Sequence, residues 1–142
     1  MVRVNIINPR NLADQHLIAE YQEIIMLLGY VKKHPKTSLD KIPANYLLGP
    51  GHILFFKNKL KYLKNRHEQL RKEMQKRGFQ PKKKISLMGL PKEFVRNWSP
   101  TDKDKQIIKK RLIERVSMKP SWYTYYREHK SKEFLANLIK KG

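Results

Sequence analysis

The 142-residue sequence contains no cysteine, which excludes a disulfide framework and every zinc site that depends on thiolates. It has no apolar run near the roughly 20 residues that a membrane-spanning helix needs. Its first residues also lack the apolar segment of a signal peptide. These absences favour a cytoplasmic protein in a reducing compartment, without a membrane partner.

Patterns of several common catalytic sites are missing as well. The five histidines show neither HxxxH nor HxH spacing, and the phosphate-binding pattern GxxxxGKS/T does not occur. No serine lies near Asp14 and His16 in the sequence to suggest a Ser–His–Asp nucleophile. We therefore expect no metal and no cofactor, with His67 packed in the core and His52 capping or packing a helix.

Negative charge is scarce and unevenly distributed. The formal net charge is +20, yet residues 1–30 carry −1 and residues 31–142 carry +21. The carboxylates of the first segment are Asp14, Glu20 and Glu23. So basic a chain predicts a polyanionic partner, and nucleic acid is favoured over an anionic membrane. Because acidic groups repel phosphate, we expect this small acidic cluster to serve chemistry.

Apolar periodicity predicts an all-α fold, a compact single domain of three main helices with long irregular loops over residues 1–142. The expected helices run from about Leu12 to His34, from Gly51 or His52 to Arg77, and from Ser99 to Pro120. Asn11, Gly78 and Ser99 are the expected capping residues. The tail from Ser131 to Lys140 is expected to form a short amphipathic helix on Phe134, Leu135 and Leu138.

Two faces of these helices are predicted to be functional. His16, Glu20 and Glu23 recur at helical spacing and should share a polar face of the first helix. Residues 57–84 contain twelve lysines and arginines but only two glutamates, which predicts nucleic-acid contact. A solvated surface is the alternative for that basic segment.

The N-terminal amine is the candidate nucleophile. Val2 is small, and initiator methionine is normally removed before a small second residue, so we expect a free α-amine on Val2. Such an amine has a pKa of about 7.7–8.0, which leaves part of it neutral near pH 7. A neutral amine can attack an electrophilic carbon and form an imine, and Glu20 or Glu23 could then move protons.

Short motifs spread from Met1 to Tyr126 form one specific combination. They are Met1-Val2-Arg3-Val4-Asn5, the stretch Leu12 to Glu23, Leu48-Gly49-Pro50-Gly51-His52 with Phe55-Phe56, Lys76-Arg77-Gly78-Phe79, Pro91-Lys92-Glu93-Phe94, Arg111, Arg115, and Pro120-Ser121-Trp122-Tyr123-Thr124-Tyr125-Tyr126. In this combination the chain resembles the phage and viral pyrimidine-dimer DNA glycosylases, also called the phage endonuclease V family.

This resemblance implies a monomeric, cofactor-free DNA glycosylase and AP lyase that repairs UV-induced pyrimidine dimers in double-stranded DNA. It implies a location at the nucleoid of a bacterial or phage-infected cell. The α-amine of Val2 would attack the sugar C1′, and Glu23 matches the family's catalytic carboxylate. The positions expected to contact DNA or the lesion are Arg3, Gln15, His16, Gln22, Arg111, Arg115, Trp122, Tyr123, Tyr125 and Tyr126. At least one of the four aromatic residues should face DNA, although Trp122 and Tyr126 could instead be packed.

The chain departs from the family pattern at three basic positions. Gln22 and Met26 replace arginines, and Thr124 replaces a lysine. These losses leave other lesions, or abasic-site cleavage alone, as alternative activities, and a non-catalytic nucleic-acid-binding protein would fit the composition equally well. Residues 127–142 extend past the matched motifs as a basic C-terminal extension without an assigned role.

Overall fold

The fold is mostly helical in the computed structural model, which describes residues 3–34 and 41–142. The helices are α1 (Asp14–Lys33), α2 (His52–Phe55), α3 (Leu60–Lys76), α4 (Asp102–Met118) and α5 (Lys132–Lys140). Within the described ranges the strands are limited to one antiparallel hairpin, β1 (Thr124–Tyr125) with β2 (Glu128–His129). The predicted all-α class is confirmed, and no described helix is long and apolar enough to cross a bilayer.

Helix α1 begins two residues later than the sequence predicts, and its predicted N-cap is wrong. A 3-10 turn at Pro9–Asn11, capped by the side chain of Asn8, precedes the helix, so Ala13 becomes the N-cap residue. The side chain of Asn11 donates instead to the carbonyl of Leu138, at a distance of 2.8 Å. Asn11 therefore ties the start of the chain to α5, a long-range contact that local sequence signals do not contain.

The second predicted helix is wrong as a single element. It is divided into α2, a 3-10 turn at Phe56–Asn58, and α3, because Lys59 leaves the helical region at φ −127° and ψ 37°. The break turns Lys57 inward, where its ammonium donates to the carbonyl of His34. The predicted end is confirmed: Gly78 has φ +90°, and the N–H of Phe79 donates to the Met74 carbonyl, as in a Schellman motif.

The contact between α1 and α3 forms the centre of the molecule. Leu17 and Ile24 of α1 are fully buried, as are Leu63 and Leu70 of α3 within a few per cent. His67 of α3 stacks on the ring of Tyr21 at 4.8 Å, which confirms its predicted place in the core. This apolar contact fixes the direction of α1 and thereby the side chains on its other faces.

Helix α5 packs on α4. The predicted short C-terminal helix is present and is capped by Ser131, but its buried residues are Leu135 and Ile139, while Phe134 is exposed. The predicted N-cap of α4 is also wrong, because Thr101 forms a capping box with Asp104 and Ser99 lies outside the helix. The C-terminal extension is therefore part of the folded structure.

Candidate active site

A cavity of about 150 Å³ joins residues from four separate parts of the chain. We call it the arginine pocket. Its lining residues are Arg3, Asn5, His16, Ala19, Arg111, Arg115 and Tyr123. The N-terminal segment, α1, α4 and the segment before β1 each contribute. Five of these seven residues are sequence-predicted site residues, and they share one cavity although more than 100 residues separate Arg3 from Arg111.

The arginine pocket concentrates positive charge. Burial lowers the pKa of Arg111, and the charges of Arg115 and Arg3 lower it further. The same physical effects act on His16, whose pKa is lowered to about 4 by burial and by Arg111 and Arg115, so its imidazole is neutral at pH 7. Within the described residues, His16 Nδ1 is buried without a hydrogen-bond partner. Clustered guanidinium groups beside an unsatisfied ring nitrogen suit an anionic ligand that contains oxygen.

The three carboxylates of α1 have different surroundings, and the predicted shared polar face is wrong for Glu20. Glu20 is fully buried and receives two hydrogen bonds from Arg66, at 2.7 and 3.0 Å. Asp14 is also buried and accepts from Arg77 at 2.9 Å. Both carboxylates are committed to ion pairs inside the protein, so neither is available as a proton-transfer group.

Glu23 is the exception among these carboxylates. It lies one helical turn beyond Ala19 and two turns beyond His16, on the side of α1 that faces the arginine pocket. Burial raises the pKa of Glu23, while the nearby positive charge of Arg3 opposes that rise. A half-buried carboxyl with a raised pKa next to a cation has the properties of a proton-transfer group. Val2, the predicted nucleophile, lies outside the described residues, and the described chain begins at Arg3, its neighbour.

The aromatic segment is held in place by Asp14. The turn between β1 and β2 has positive φ at Tyr126 (50°) and Arg127 (68°), the conformation of a tight hairpin turn that usually requires asparagine or glycine. Asp14 stabilises it by accepting the backbone N–H groups of both residues and the hydroxyl of Thr124. Burial would raise the pKa of Asp14, but these hydrogen bonds and Arg77 lower it overall.

The four predicted aromatic residues do not act as one surface. Tyr123 is buried in the arginine pocket and packs on the His16 ring at 4.8 Å. Trp122 is 61% exposed, so its ring is accessible to a partner, and the contact of an aromatic residue with DNA stays a prediction. Tyr125 donates to the carbonyl of Arg10, and Tyr126 donates to Glu73. Both rings lie against the guanidinium group of Arg77, at 4.6 and 4.9 Å, and neither residue lines the arginine pocket.

Two predicted polar contacts also lie elsewhere. Gln15 is engaged within the protein, because it exchanges hydrogen bonds with the backbone and hydroxyl of Thr124. Gln22 is exposed and lines a separate cavity of about 570 Å³ together with the exposed side chain of Met26. The two positions where the family has arginine therefore lie beside each other, but outside the arginine pocket.

Only some of the cations in the basic segment 57–84 are exposed, which corrects the sequence prediction. Four of its twelve cations are buried, namely Lys57, Arg66, Arg71 and Arg77. Arg66 and Arg77 are paired with buried carboxylates, so their charges are neutralised inside the protein, and Arg71 is paired with the exposed side chain of Glu68. The other eight cations are all lysines, seven of them exposed, and they are the part of the segment that can meet a polyanion.

A family model described as pyrimidine dimer DNA glycosylase matches residues 1–87. The chain belongs to this family. It is accordingly an enzyme of DNA repair, a DNA glycosylase. The matched region ends before α4, so the arginine pocket of this glycosylase combines matched residues, such as Arg3 and His16, with Arg111, Arg115 and Tyr123 from beyond the match.

Sequence reasoning missed how the N-terminal segment of the glycosylase is held. The N–H of Val4 donates to Nε2 of His52, and the carbonyl of Val4 accepts from the hydroxyl of Tyr46. The prediction that His52 packs inside the protein is confirmed, but its contact with Val4 was not anticipated. No spacing rule connects residues 48 positions apart. In the described ranges, no three side chains of the metal-binding types converge on a site.

Proposed function

We propose that this glycosylase is bifunctional and that the α-amine of Val2 is its nucleophile. The neutral amine attacks C1′ of the damaged nucleotide, and the glycosidic bond breaks with its electron pair on the departing base. The attached nitrogen then loses one proton, and its lone pair breaks the bond from C1′ to O4′, which takes up a proton as the sugar ring opens. This leaves a protonated imine between Val2 and C1′. Removal of a C2′ proton expels the 3′ phosphate and cuts the strand, which is the AP lyase step.

One observation supports this proposal most directly. Glu23 is the one carboxylate of α1 outside the buried ion pairs, and it lies beside Arg3, the residue that follows Val2. Its raised pKa suits a group that accepts and returns protons during base release and elimination. An α-amine of ordinary pKa is about 10–20% neutral at pH 7, and neighbouring arginine charges increase that fraction.

The arginine pocket gives the substrate phosphates a place next to this chemistry. Its arginines would bind the backbone at the damaged nucleotide, while neutral His16 offers a ring nitrogen to a sugar or phosphate oxygen. The damaged nucleotide must leave the base stack to reach C1′, at a cost of a few kcal/mol that is lowest for a weakened pair. The substrate we propose is a pyrimidine dimer in double-stranded DNA.

Borohydride trapping tests the proposal. Purified protein is incubated with duplexes that contain a pyrimidine dimer or an abasic site, and the imine is reduced in place. We expect one covalent adduct, and peptide mass spectrometry should map it to the α-amine of Val2. Selective acetylation of that amine should abolish both the adduct and strand cleavage. An adduct on a lysine, or cleavage that survives acetylation, would contradict the mechanism.

The two substrates separate the alternative activities. Adduct formation with both duplexes is the expected result. If only the abasic duplex is trapped, the protein is an AP lyase and the proposed lesion is wrong. Intact-mass measurement of the same preparation shows whether Met1 has been removed, which the mechanism requires.

A further inference from the structure

Val4 is held by two side chains that come from one distant segment. It is fully buried, and both of its backbone polar groups are bound by side chains. Its N–H donates to His52 Nε2 at 3.0 Å, and its carbonyl accepts from the Tyr46 hydroxyl at 2.9 Å. In a β-sheet a neighbouring strand would provide such bonds. Here the side chains of Tyr46 and His52 provide both hydrogen bonds for Val4 in place of a neighbouring strand.

The contact with His52 requires one particular tautomer. Nδ1 of His52 lies 2.7 Å from the carbonyl of Leu47, so Nδ1 carries the proton and donates it. Nε2 is then the acceptor that the Val4 N–H needs. Burial lowers the pKa of His52 to about 4, opposed by the Leu47 carbonyl and assisted by the charges of Arg3 and Arg111. The rings of Tyr46 and Phe56 cover the imidazole at 5.6 and 5.3 Å.

The rest of the N-terminal segment is fixed as well. Arg3 donates from Nε to the carbonyl of Leu48, and Arg66 donates to the carbonyl of Ile7. Between them Ile6 has φ +46°, an unfavourable conformation for a β-branched residue that persists only where surrounding contacts impose it. Residues 3–7 are thus constrained well beyond what packing a short irregular segment requires.

Chain geometry links this anchor to the proposed nucleophile. At most about 7 Å of extended backbone separates the Cα atoms of Val4 and Val2. Fixing Val4 therefore restricts the volume that the α-amine can reach, and it does so beside Arg3, which lines the arginine pocket. Precise placement matters because a displacement of about 1 Å can cost roughly 100-fold in rate.

We infer that Tyr46 and His52 are positioning residues for the N-terminal amine, acting through the two backbone groups of Val4. The inference rests on the proposed function. It assigns to the segment 46–52 a part in imine formation, although neither side chain needs to touch DNA.

Three variants test the inference. His52→Asn keeps an amide near the Nδ1 position for the Leu47 carbonyl but removes the acceptor for Val4. His52→Gln keeps an amide oxygen near the Nε2 position and should rescue the contact. Tyr46→Phe removes only the hydroxyl and leaves the ring packing in place. Denaturant unfolding establishes the conditions under which each variant remains folded.

Two measurements on each folded variant separate positioning from a merely structural role. The first is the single-turnover rate of borohydride-trapped adduct formation on an abasic duplex at saturating protein. The second is the Kd for a duplex that contains a tetrahydrofuran abasic analogue, which cannot form an imine. For His52→Asn and Tyr46→Phe we expect the rate to fall about 10- to 100-fold. Their Kd should stay within about twofold of the unmodified protein, and His52→Gln should recover most of the rate.

The outcomes distinguish this inference from the proposed function. Normal trapping rates in folded His52→Asn and Tyr46→Phe would overturn the positioning role while leaving the amine mechanism intact. Rates and affinities that fall together would also overturn it, since that indicates a general loss of structure. If the unmodified protein forms no adduct at Val2, the proposed function fails, and the positioning role fails with it. Should His52→Asn not fold, Tyr46→Phe decides the question with the same two measurements.

Discussion

Two groups of arginines in this glycosylase have opposite surroundings. Arg66 and Arg77 lie at the contact of α3 with α1, where each is almost fully buried and bound by a carboxylate and by backbone carbonyls. Arg3, Arg111 and Arg115 line the arginine pocket, where like charges lie close enough to lower the pKa of Arg111. The first group completes the fold, whereas the second gathers charge of one sign where a phosphate can balance it.

The carboxylates of α1 follow the same division. Asp14 and Glu20 form ion pairs with the buried arginines, whereas Glu23 lies beside Arg3. One helix therefore supplies partners to the interior and a candidate proton-transfer group to the pocket. The comparison teaches that charge balance around a side chain, more than the side chain's identity, separates structural ion pairs from a candidate binding site.

The largest effect is expected from Glu23→Gln. The amide keeps the size of the side chain but cannot accept a proton, so base release should slow by about 10²- to 10⁴-fold. Single-turnover kinetics on a dimer-containing duplex measure this, with Kd for the same duplex expected to change little. Glu114→Gln, an exposed carboxylate on α4, is the matched control and should retain full activity. Equal rates for the two variants would contradict the role of Glu23.

The second-largest effect is expected on stability, from a change to one of the two buried arginines. Arg66→Ala leaves the fully buried Glu20 without its partner, and breaking such a pair costs about 3–5 kcal/mol of unfolding free energy. Arg115→Ala, made in the arginine pocket, should leave the unfolding free energy nearly unchanged because this side chain is exposed. Urea unfolding at neutral pH compares the two. A similar loss of stability in both variants would remove the distinction between the two arginine groups.

The sequence predicts the long helices and most of the pocket residues, because these depend on local periodicity and on the family motifs. It does not predict the break at Lys59, since the apolar spacing continues through it and the break is visible only in the backbone dihedral angles of Lys59. It also assigns Glu20 to a polar face, because helical spacing alone does not show that this side chain is buried. Whether a glutamate is buried depends on Arg66, which lies 46 positions away. The hairpin held by Asp14 likewise depends on long-range hydrogen bonds that local signals do not encode.

A third effect is the pH dependence of stability. Burial lowers the pKa of His16 and His52 to about 4, below their ordinary value of 6.5. Between pH 4 and 6.5 the unfolded chain therefore binds more protons than the folded protein. The unfolding free energy should therefore fall as the pH is lowered from 6.5 towards 4, by about 1.4 kcal/mol per pH unit for each histidine.

A comparison of the unmodified protein with the His52→Gln variant isolates the contribution of His52 from those of the other titrating groups. Glu23 has a raised pKa and acts in the opposite direction, and Asp14, whose pKa is lowered from 3.8, acts mainly at the acid end of this range and below it. His52→Gln should flatten the unfolding free energy between pH 6.5 and 4 relative to the unmodified protein. Parallel curves for the two proteins would show that His52 takes up a proton as readily in the folded state as in the unfolded state.

The smallest effect concerns the salt dependence of DNA binding. If Arg115 neutralises one phosphate, Arg115→Gln should reduce the slope of log K against log salt by about 0.9. Lys110→Gln is the matched control, because Lys110 is exposed on α4 but lines no part of the arginine pocket. Fluorescence anisotropy with an abasic-analogue duplex at several salt concentrations measures both slopes. An equal reduction for both variants would mean that DNA responds to the net charge of α4, whereas a reduction confined to Arg115→Gln would show that the arginine pocket itself binds a phosphate.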